Sequence, residues 1–394
     1  MPVLVSRKVR LKAFPNGLPM PVKSEVCTVR FTQQQTPFRI GSIESRRLTM
    51  ALPEAKPQNP DLTEPHTKMS ELRRGMIAFM DKNRRALSAL LVFVVLMLFF
   101  LIANPKVFLG RDIYKAVFAD LPNWIILAVS LVFVIAAGEI DLSFVSTQLL
   151  ATWIFAMVVA AGWNPFMGLV LAVAAGASVG FVNGVIVTRI GLPSLVSTLG
   201  MNFLLQGLVN GATGGKGISL ASLKGAPISN ILVGSLGILP AQVIWGLVFA
   251  IVAMVIFNYH QFGHHICCVG DNLESAREMG INVERVKTLA FVYVGLAAGF
   301  TGVVSDLIYG TFWPVTGDPG VLLLAILASV FVGGTPTWGG IGTVAGAVIG
   351  ACTVRFIQTG IIEAGFTGFW TQFFYGLIII IALVGHKLNQ PRYR

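Results

Sequence analysis

The residues able to do chemistry are few and stand apart from one another. Glu139 and Asp141, in Gly138-Glu139-Ile140-Asp141-Leu142-Ser143, place two carboxylates inside a long apolar stretch. Burying an ionised carboxylate in a bilayer is costly, so such groups line water, cap a broken helix or meet a partner. Asp141 followed by Ser143 reads first as the start of the next helix, with contact to a transported ligand as the second reading. His264-His265-Ile266-Cys267-Cys268 collects metal-ligating types, but without the gaps that let ligands converge on one ion. No His/Asp/Glu cluster has catalytic or metal-ligand spacing, so no catalytic residue, metal or bound cofactor is expected. A phosphate-binding loop needs Gly-x4-Gly-Lys-Ser/Thr. The nearest candidate, Gly215-Lys216, is followed by Gly217 and has Asn210 where the first Gly belongs, so this chain is not expected to hydrolyse ATP.

One charged island lies between long apolar segments, from Gly270-Asp271-Asn272 to Gly280-Ile281-Asn282. Asp271 reads as an N-cap and Glu274, three residues later, as the partner of an acidic capping box. Gly280 is placed to take the left-handed position that stops a helix after about two turns. A short, stiff, charged helix of this kind, with Ala276 and Arg277 at its middle, is a surface for a soluble partner to grip; an ordinary capped surface helix is the plainer reading. Arg277, Arg285 and Lys287 are left for solvent or for that partner.

These elements must be positioned by membrane helices. Hydrophobic residues make up 55% of the chain and charged ones 12%, about half the charge of a soluble domain. Ten segments of spanning length are expected near 86–104, 121–138, 143–162, 166–188, 193–212, 240–259, 288–308, 321–335, 341–361 and 366–385. Residues 1–68 carry nine prolines and no sustained apolar period, which predicts a disordered basic leader, with Met50 or Met69 as alternative starts. Residues 69–394 then form the transmembrane domain, with a loop at 260–287. Sixteen Lys/Arg against seven Asp/Glu precede residue 86, an asymmetry that orients the chain with its N-terminus in the cytoplasm and argues against a nucleic-acid role. An even span count returns the C-terminus to the same side, together with Arg189 and the charged island. Lys106, Arg111 and Lys115 fall on the outer side, against the charge rule. The four cysteines form no disulfide framework.

Two segments carry glycines every four residues: Gly176, Gly180 and Gly184, and Gly342, Gly346 and Gly350. This spacing puts small residues on one helix face for close helix packing, one set in each of two related halves. Gly333-Gly334-Thr335-Pro336-Thr337-Trp338-Gly339-Gly340 cannot continue a helix. At membrane depth such backbone survives only against protein or a water-filled cavity. The fold class expected is an all-α polytopic membrane protein with broken or re-entrant segments.

Together these motifs resemble the ribose-type (simple sugar) permeases of bacterial ABC importers. Gly138–Ser143 is similar to that family's Gly-Ile-Asp-Leu-Ser signature. Leu192-Pro193-Ser194-Leu195-Val196-Ser197-Thr198-Leu199-Gly200-Met201 is similar to its Thr-Leu-Gly-Met segment, and Thr213-Gly214-Gly215 follows in place. The 269–282 island, the 333–342 break and Gly368-Phe369-Trp370 agree in order; Phe144-Val145 and Cys267-Cys268 depart from the pattern. The resemblance implies a permease in the bacterial inner membrane that moves a carbohydrate delivered by a periplasmic binding protein. It further implies a second permease copy and a separate cytoplasmic ABC ATPase, so that ATP enters only through the partner. It assigns ATPase coupling to Asp271, Asn272, Glu274, Ala276, Arg277 and Gly280. The translocation pathway is expected at Glu139, Asp141, Ser143, Thr198, Thr335 and Trp338. A nucleoside or branched-chain amino-acid permease shares the architecture, and an ion-coupled carrier drawing on Glu139, Asp141, Asp306 and Arg355 is the reading from another class.

Overall fold

Apolar runs of spanning length, interrupted by glycine and proline, set the element order. A computed structural model describes residues 84–237, 239–314, 319–363, 365 and 368–388. The expected leader at 1–68 lies outside the described residues, as do the last six residues of the chain. In order come α1 (Arg84–Ala103), α2 (Pro105–Phe108), α3 (Arg111–Ala136), α4 (Phe144–Ala160), α5 (Pro165–Val185) with a π turn (Ile186–Ile190), and α6 (Ser194–Thr213). They are followed by α7 (Pro227–Val233), α8 (Ala241–Tyr259), α9 (Gln261–Asp271), α10 (Leu273–Glu278) and α11 (Val283–Tyr309), then α12 (Pro319–Val332), α13 (Val344–Glu363) and α14 (Gly368–Leu388). Four two-residue strands are the only sheet among the described residues, with β1 (Ile218–Ser219) pairing antiparallel to β4 (Thr311–Phe312) and β2 (Ser235–Leu236) to β3 (Leu239–Pro240). The protein is an all-α polytopic membrane protein.

Each expected span corresponds to a helix, although their characters differ. Among the described residues, α1, α3, α5 with its π turn, α8, α11 and α13 are long and apolar enough to cross a membrane, and α4, α12 and α14 contain shorter apolar helices. α6 has 20 residues but is more polar than these. The second span starts at Arg111, ten residues before the expected 121, because Pro122 sits inside a helix that continues through it. A helix tolerates that proline where neighbouring groups pack against the kink, and Gly246 of α8 lies directly against the Pro122 ring.

Burial ranks the helices. In α3, 78% of the apolar window is buried within the protein, against 6% in α1, so α3 is the central post and α1 lies at the periphery. The most extensive helix pair is α5 with α11. A Cβ at Gly176 would overlap the Gly295 carbonyl, one at Gly180 the Phe291 carbonyl, and one at Gly184 would lie 2.7 Å from Thr288 Cα. Lipid tails are as apolar as leucine, so close backbone packing of this kind is what holds such helices together. The facing Gly295 and Gly299 of α11, four residues apart, complete the groove. The second triplet behaves differently. Gly346 and Gly350 of α13 meet the Gly333 and Ser329 carbonyls of α12, but Gly342 precedes α13 and faces Phe257 and Val132, so the three do not share one helix face.

This packing has a direct test. Gly180→Ala, which drives a methyl into backbone, should destabilise by about 1–3 kcal/mol and lower the melting temperature in detergent. Gly207→Ala on α6 has open space around it and should not lower it. Equal melting of the two variants would remove the α5–α11 groove as a stability determinant.

Candidate functional site

Two chain breaks meet at one end of the bundle, and a third helix stop follows in the α9–α10 segment. α3 stops at Gly138, whose φ of 82° is left-handed, with Glu139 N donating to Val134 O (3.1 Å) and Gly138 N to Ile135 O (3.0 Å). α12 stops at Gly334 in the same way, with Thr335 N donating to Val330 O (3.3 Å) and Gly334 N to Phe331 O (3.0 Å). α10 stops at Gly280, with Ile281 N donating to Ala276 O (3.0 Å) and Gly280 N to Arg277 O (2.9 Å). This paired bonding is the Schellman stop, which glycine favours because it carries no Cβ at positive φ.

Backbone then touches backbone between the breaks. Gly340 N donates to Ala136 O, the last residue of α3 (2.9 Å). A Cβ at Gly270 would overlap that same carbonyl, and one at Gly339 would lie 2.8 Å from both Gly138 Cα and Gly270 O. A Cβ at Gly340 would lie 3.1 Å from Asp271 Cα. The C-terminal end of α9, which leads into α10, is therefore pressed directly onto both the α3–α4 break and the α12–α13 break.

Side chains satisfy the backbone amides that the first break frees. Ile140 N donates to Ser194 Oγ (3.1 Å) and Leu142 N to Thr198 Oγ1 (3.0 Å), both on the first turns of α6. Ser143 donates to Asp141 Oδ1 from both its N and its Oγ, each at 2.7 Å. Asn183 Nδ2 of α5 donates to Ser143 Oγ (2.7 Å). Asp141, Ser143 and Thr198 are buried at 2% exposure or less. Asp141 thus holds the turn that leads into α4, the helix-start role expected of it. In the second break, buried Thr335 accepts from Thr343 N (3.2 Å) through its hydroxyl, and Thr343 Oγ1 accepts from Gly346 N (2.8 Å) to start α13. Trp338 is 37% exposed, with Lys387 Nζ 6.0 Å from its ring centroid.

Of the six pathway candidates, the structure brings Glu139, Asp141, Ser143 and Thr198 together at the first break and sets Thr335 and Trp338 in the second. Glu139 does not face open space: Lys287 Nζ lies 2.5 Å from its Oε1, with side chains 13% and 15% exposed. Lys287 therefore pairs within the chain and is not left for solvent. The pair joins residues 148 positions apart, and no local pattern announces it. Asn183, Ser194 and Gly270 were likewise illegible as partners, since only packing sets them against the breaks. Further along the bundle the buried charges differ: Asp306 of α11 is buried with no hydrogen-bond partner for its Oδ2 among the described residues, whereas Arg355 is engaged. Arg355 of α13 lies 3.6 Å from Asp120 and over the Trp124 ring at 5.1 Å.

The coupling candidates form a compact surface with one correction. Asp271 is the last residue of α9, and the N-cap of α10 is Asn272, whose extended backbone frees its Oδ1 to accept from Glu274 N and Ser275 N (each 3.0 Å). The charged helix is correspondingly shorter than expected, Leu273–Glu278. Ala276 is buried and anchors it, whereas Asp271, Asn272, Glu274, Arg277 and Gly280 are exposed. Cys267 on α9 has its thiol pushed up to about 11, chiefly by burial and further by Cys268 and Asp271.

A profile of the family described as branched-chain amino acid transport system, permease component, matches residues 113–383. The chain belongs to this family. The permease is 31% identical over 304 residues to the autoinducer 2 import system permease protein LsrC of Photorhabdus luminescens, covering 77% of this chain and 90% of that one. It is 32% identical over 314 residues to LsrC of Salmonella typhi, covering 78% and 87%. LsrC of Yersinia enterocolitica is 29% identical over 307 residues. No solved structure matches the chain. Like its relatives the permease is a transport component and not an enzyme.

Two substitutions test the site. Asp141→Asn keeps an oxygen for Ser143 and should be tolerated, whereas Asp141→Leu leaves a buried amide and hydroxyl unmet, at about 1–3 kcal/mol each. Monodisperse yield in detergent should separate them, and equal yields would deny Asp141 this role. Asn272→Ala removes two amide bonds and should cost α10 about 1 kcal/mol, read as faster amide hydrogen exchange at Glu274 and Ser275 with membrane insertion unchanged; unchanged exchange would deny Asn272 the capping role.

Proposed function

We propose that this permease is the membrane subunit of an ATP-driven importer whose cargo is a small neutral carbohydrate-like molecule. A periplasmic binding protein delivers the cargo to the end opposite α10. A separate ATPase grips α9–α10, and a second permease copy completes the pathway. The α10 end, with both chain termini, faces the cytoplasm of an inner membrane. The observation that carries the reading is the contact of α9–α10 with both helix breaks through Gly138, Gly270, Gly339 and Gly340. A docking helix joined directly to a segment that rests on two membrane-helix breaks is what a partner's ATP cycle needs in order to open a pathway.

The cargo class follows from the charges and the relatives. Glu139, Asp141 and Arg355 are held by Lys287, Ser143 and Asp120 respectively. Asp306 is buried with one oxygen unpartnered among the described residues, and a single carboxylate does not fix both the ammonium and the carboxylate of an amino acid. Hydroxyl and amide groups remain, such as Ser197, Gln206 and Asn210 on α6, and these suit a neutral polyhydroxylated molecule. The relatives named for autoinducer 2 import point the same way. The family description favours a second reading, a branched-chain amino acid cargo.

Proteoliposomes holding permease, ATPase and trapped ATP, with binding protein outside, should accumulate labelled autoinducer 2 or ribose only when ATP is present. Uptake driven by an ion gradient without ATP would sink the importer reading. Labelled isoleucine taken up in place of both would select the second cargo. Thr335→Cys, introduced after the native cysteines are replaced, is buried at rest and should react with a water-soluble maleimide during ATP turnover. No reaction in any nucleotide state would make the second break a packed structural element.

A further inference from the structure

The docking helix α10 is held to the membrane domain at both of its ends, and both attachments lead to the same place. Before α10, Gly270 and Asp271 press against Ala136, Gly138 and Gly340. After α10, the Gly280 stop passes through Asn282, the N-cap of α11, to Lys287 on the second turn of that helix. Lys287 then returns to Glu139, the residue following the Gly138 stop. We propose that Glu139 and Lys287 are positioning residues for transport, their ion pair being the strut that transmits displacement of α10 into the α3–α4 break. This rests on the reading of α10 as the ATPase-docking helix.

The geometry distinguishes this pair from its neighbour. Glu139 and Lys287 are largely withdrawn from solvent and 2.5 Å apart. A pair so placed is weakly screened, and removing one partner strands the other. Arg189 and Glu284 also bridge the α5 end to α11, but at 3.9 Å with side chains 71% and 55% exposed. An exposed pair of that kind constrains little. The backbone junction alone ties only the leading end of α10 to the break. The strut ties the trailing end, so that a shift or rotation of α10 cannot occur without moving residues 136–139.

The test uses the full permease–ATPase complex in lipid nanodiscs, free of native cysteines, with Thr337→Cys as a partly exposed reporter in the second break. Labelling by a water-soluble maleimide is compared between nucleotide-free and ATP–vanadate-trapped complexes. With the pair intact, trapping should change the labelling rate several-fold. Glu139→Gln or Lys287→Gln should abolish most of that change while the ATPase still co-purifies. The swap of Glu139→Lys with Lys287→Glu should restore it, and Glu284→Gln should leave it intact. Single variants that keep the full change, or a swap that restores nothing, would overturn the strut. A wild-type chain that retains no ATPase would instead sink the docking reading on which it rests, and co-purification alone would reveal that.

Discussion

Backbone contact between Gly138, Gly270 and the Gly339–Gly340 pair is the constraint on which the rest of the arrangement depends. Three segments widely separated in the chain approach so closely that a single methyl at Gly270 would collide with the last carbonyl of α3. The approach needs glycine for two separate reasons. At Gly138, Gly339 and Gly340 the backbone is left-handed, with φ of 82°, 81° and 75°. At Gly270, within α9, the conformation is helical and only the space is lacking. Because the contact is between main chains, it leaves little slack, and motion in one segment is passed to the others.

A junction of irregular backbone in a membrane protein must also account for its hydrogen bonds. Here neighbouring helices supply them. The first turns of α6 offer Ser194 and Thr198 to the freed amides, Asp141 folds back onto Ser143, and Asn183 closes the set from α5. The polar residues of this region thus hold a fixed bend between helices. Their chemistry is that of helix capping carried out across helices, and it explains why Asp141 and its hydroxyl partners are buried in a chain with so few charged residues.

The bundle around the junction is graded to match. α3 is almost wholly enclosed, and α5 and α11 are locked by facing glycines. Against this frame stand α10, with a charged, exposed face anchored by Ala276 and Leu273, and α6, more polar than the other long helices. The parts suited to meeting partners or cargo are therefore borne on elements that the packed core holds from one side only.

Local chemistry was legible in the sequence. Apolar length located a helix at each of the ten expected segments, six of them long and apolar enough to cross a membrane among the described residues. The glycines at 138, 280 and 334 marked where helices stop, because propensity, capping and left-handed turns act within a few residues. The cap at Asn272 was misplaced by one position, since both Asp271 and Asn272 can serve and only the continuation of α9 through Asp271 decides between them. The early start of α3 was hidden because Pro122 reads as a boundary until Gly246 is seen packed against it. The partners of the site were beyond reach: Lys287 for Glu139, Asn183 for Ser143, Ala136 for Gly340. The sequence by itself determined a membrane bundle with defined breaks and a short charged helix. Only the tertiary structure decided that these breaks and that helix are one site, because ion pairs and backbone contacts between distant segments depend on how helices pack and leave no periodic trace along the chain.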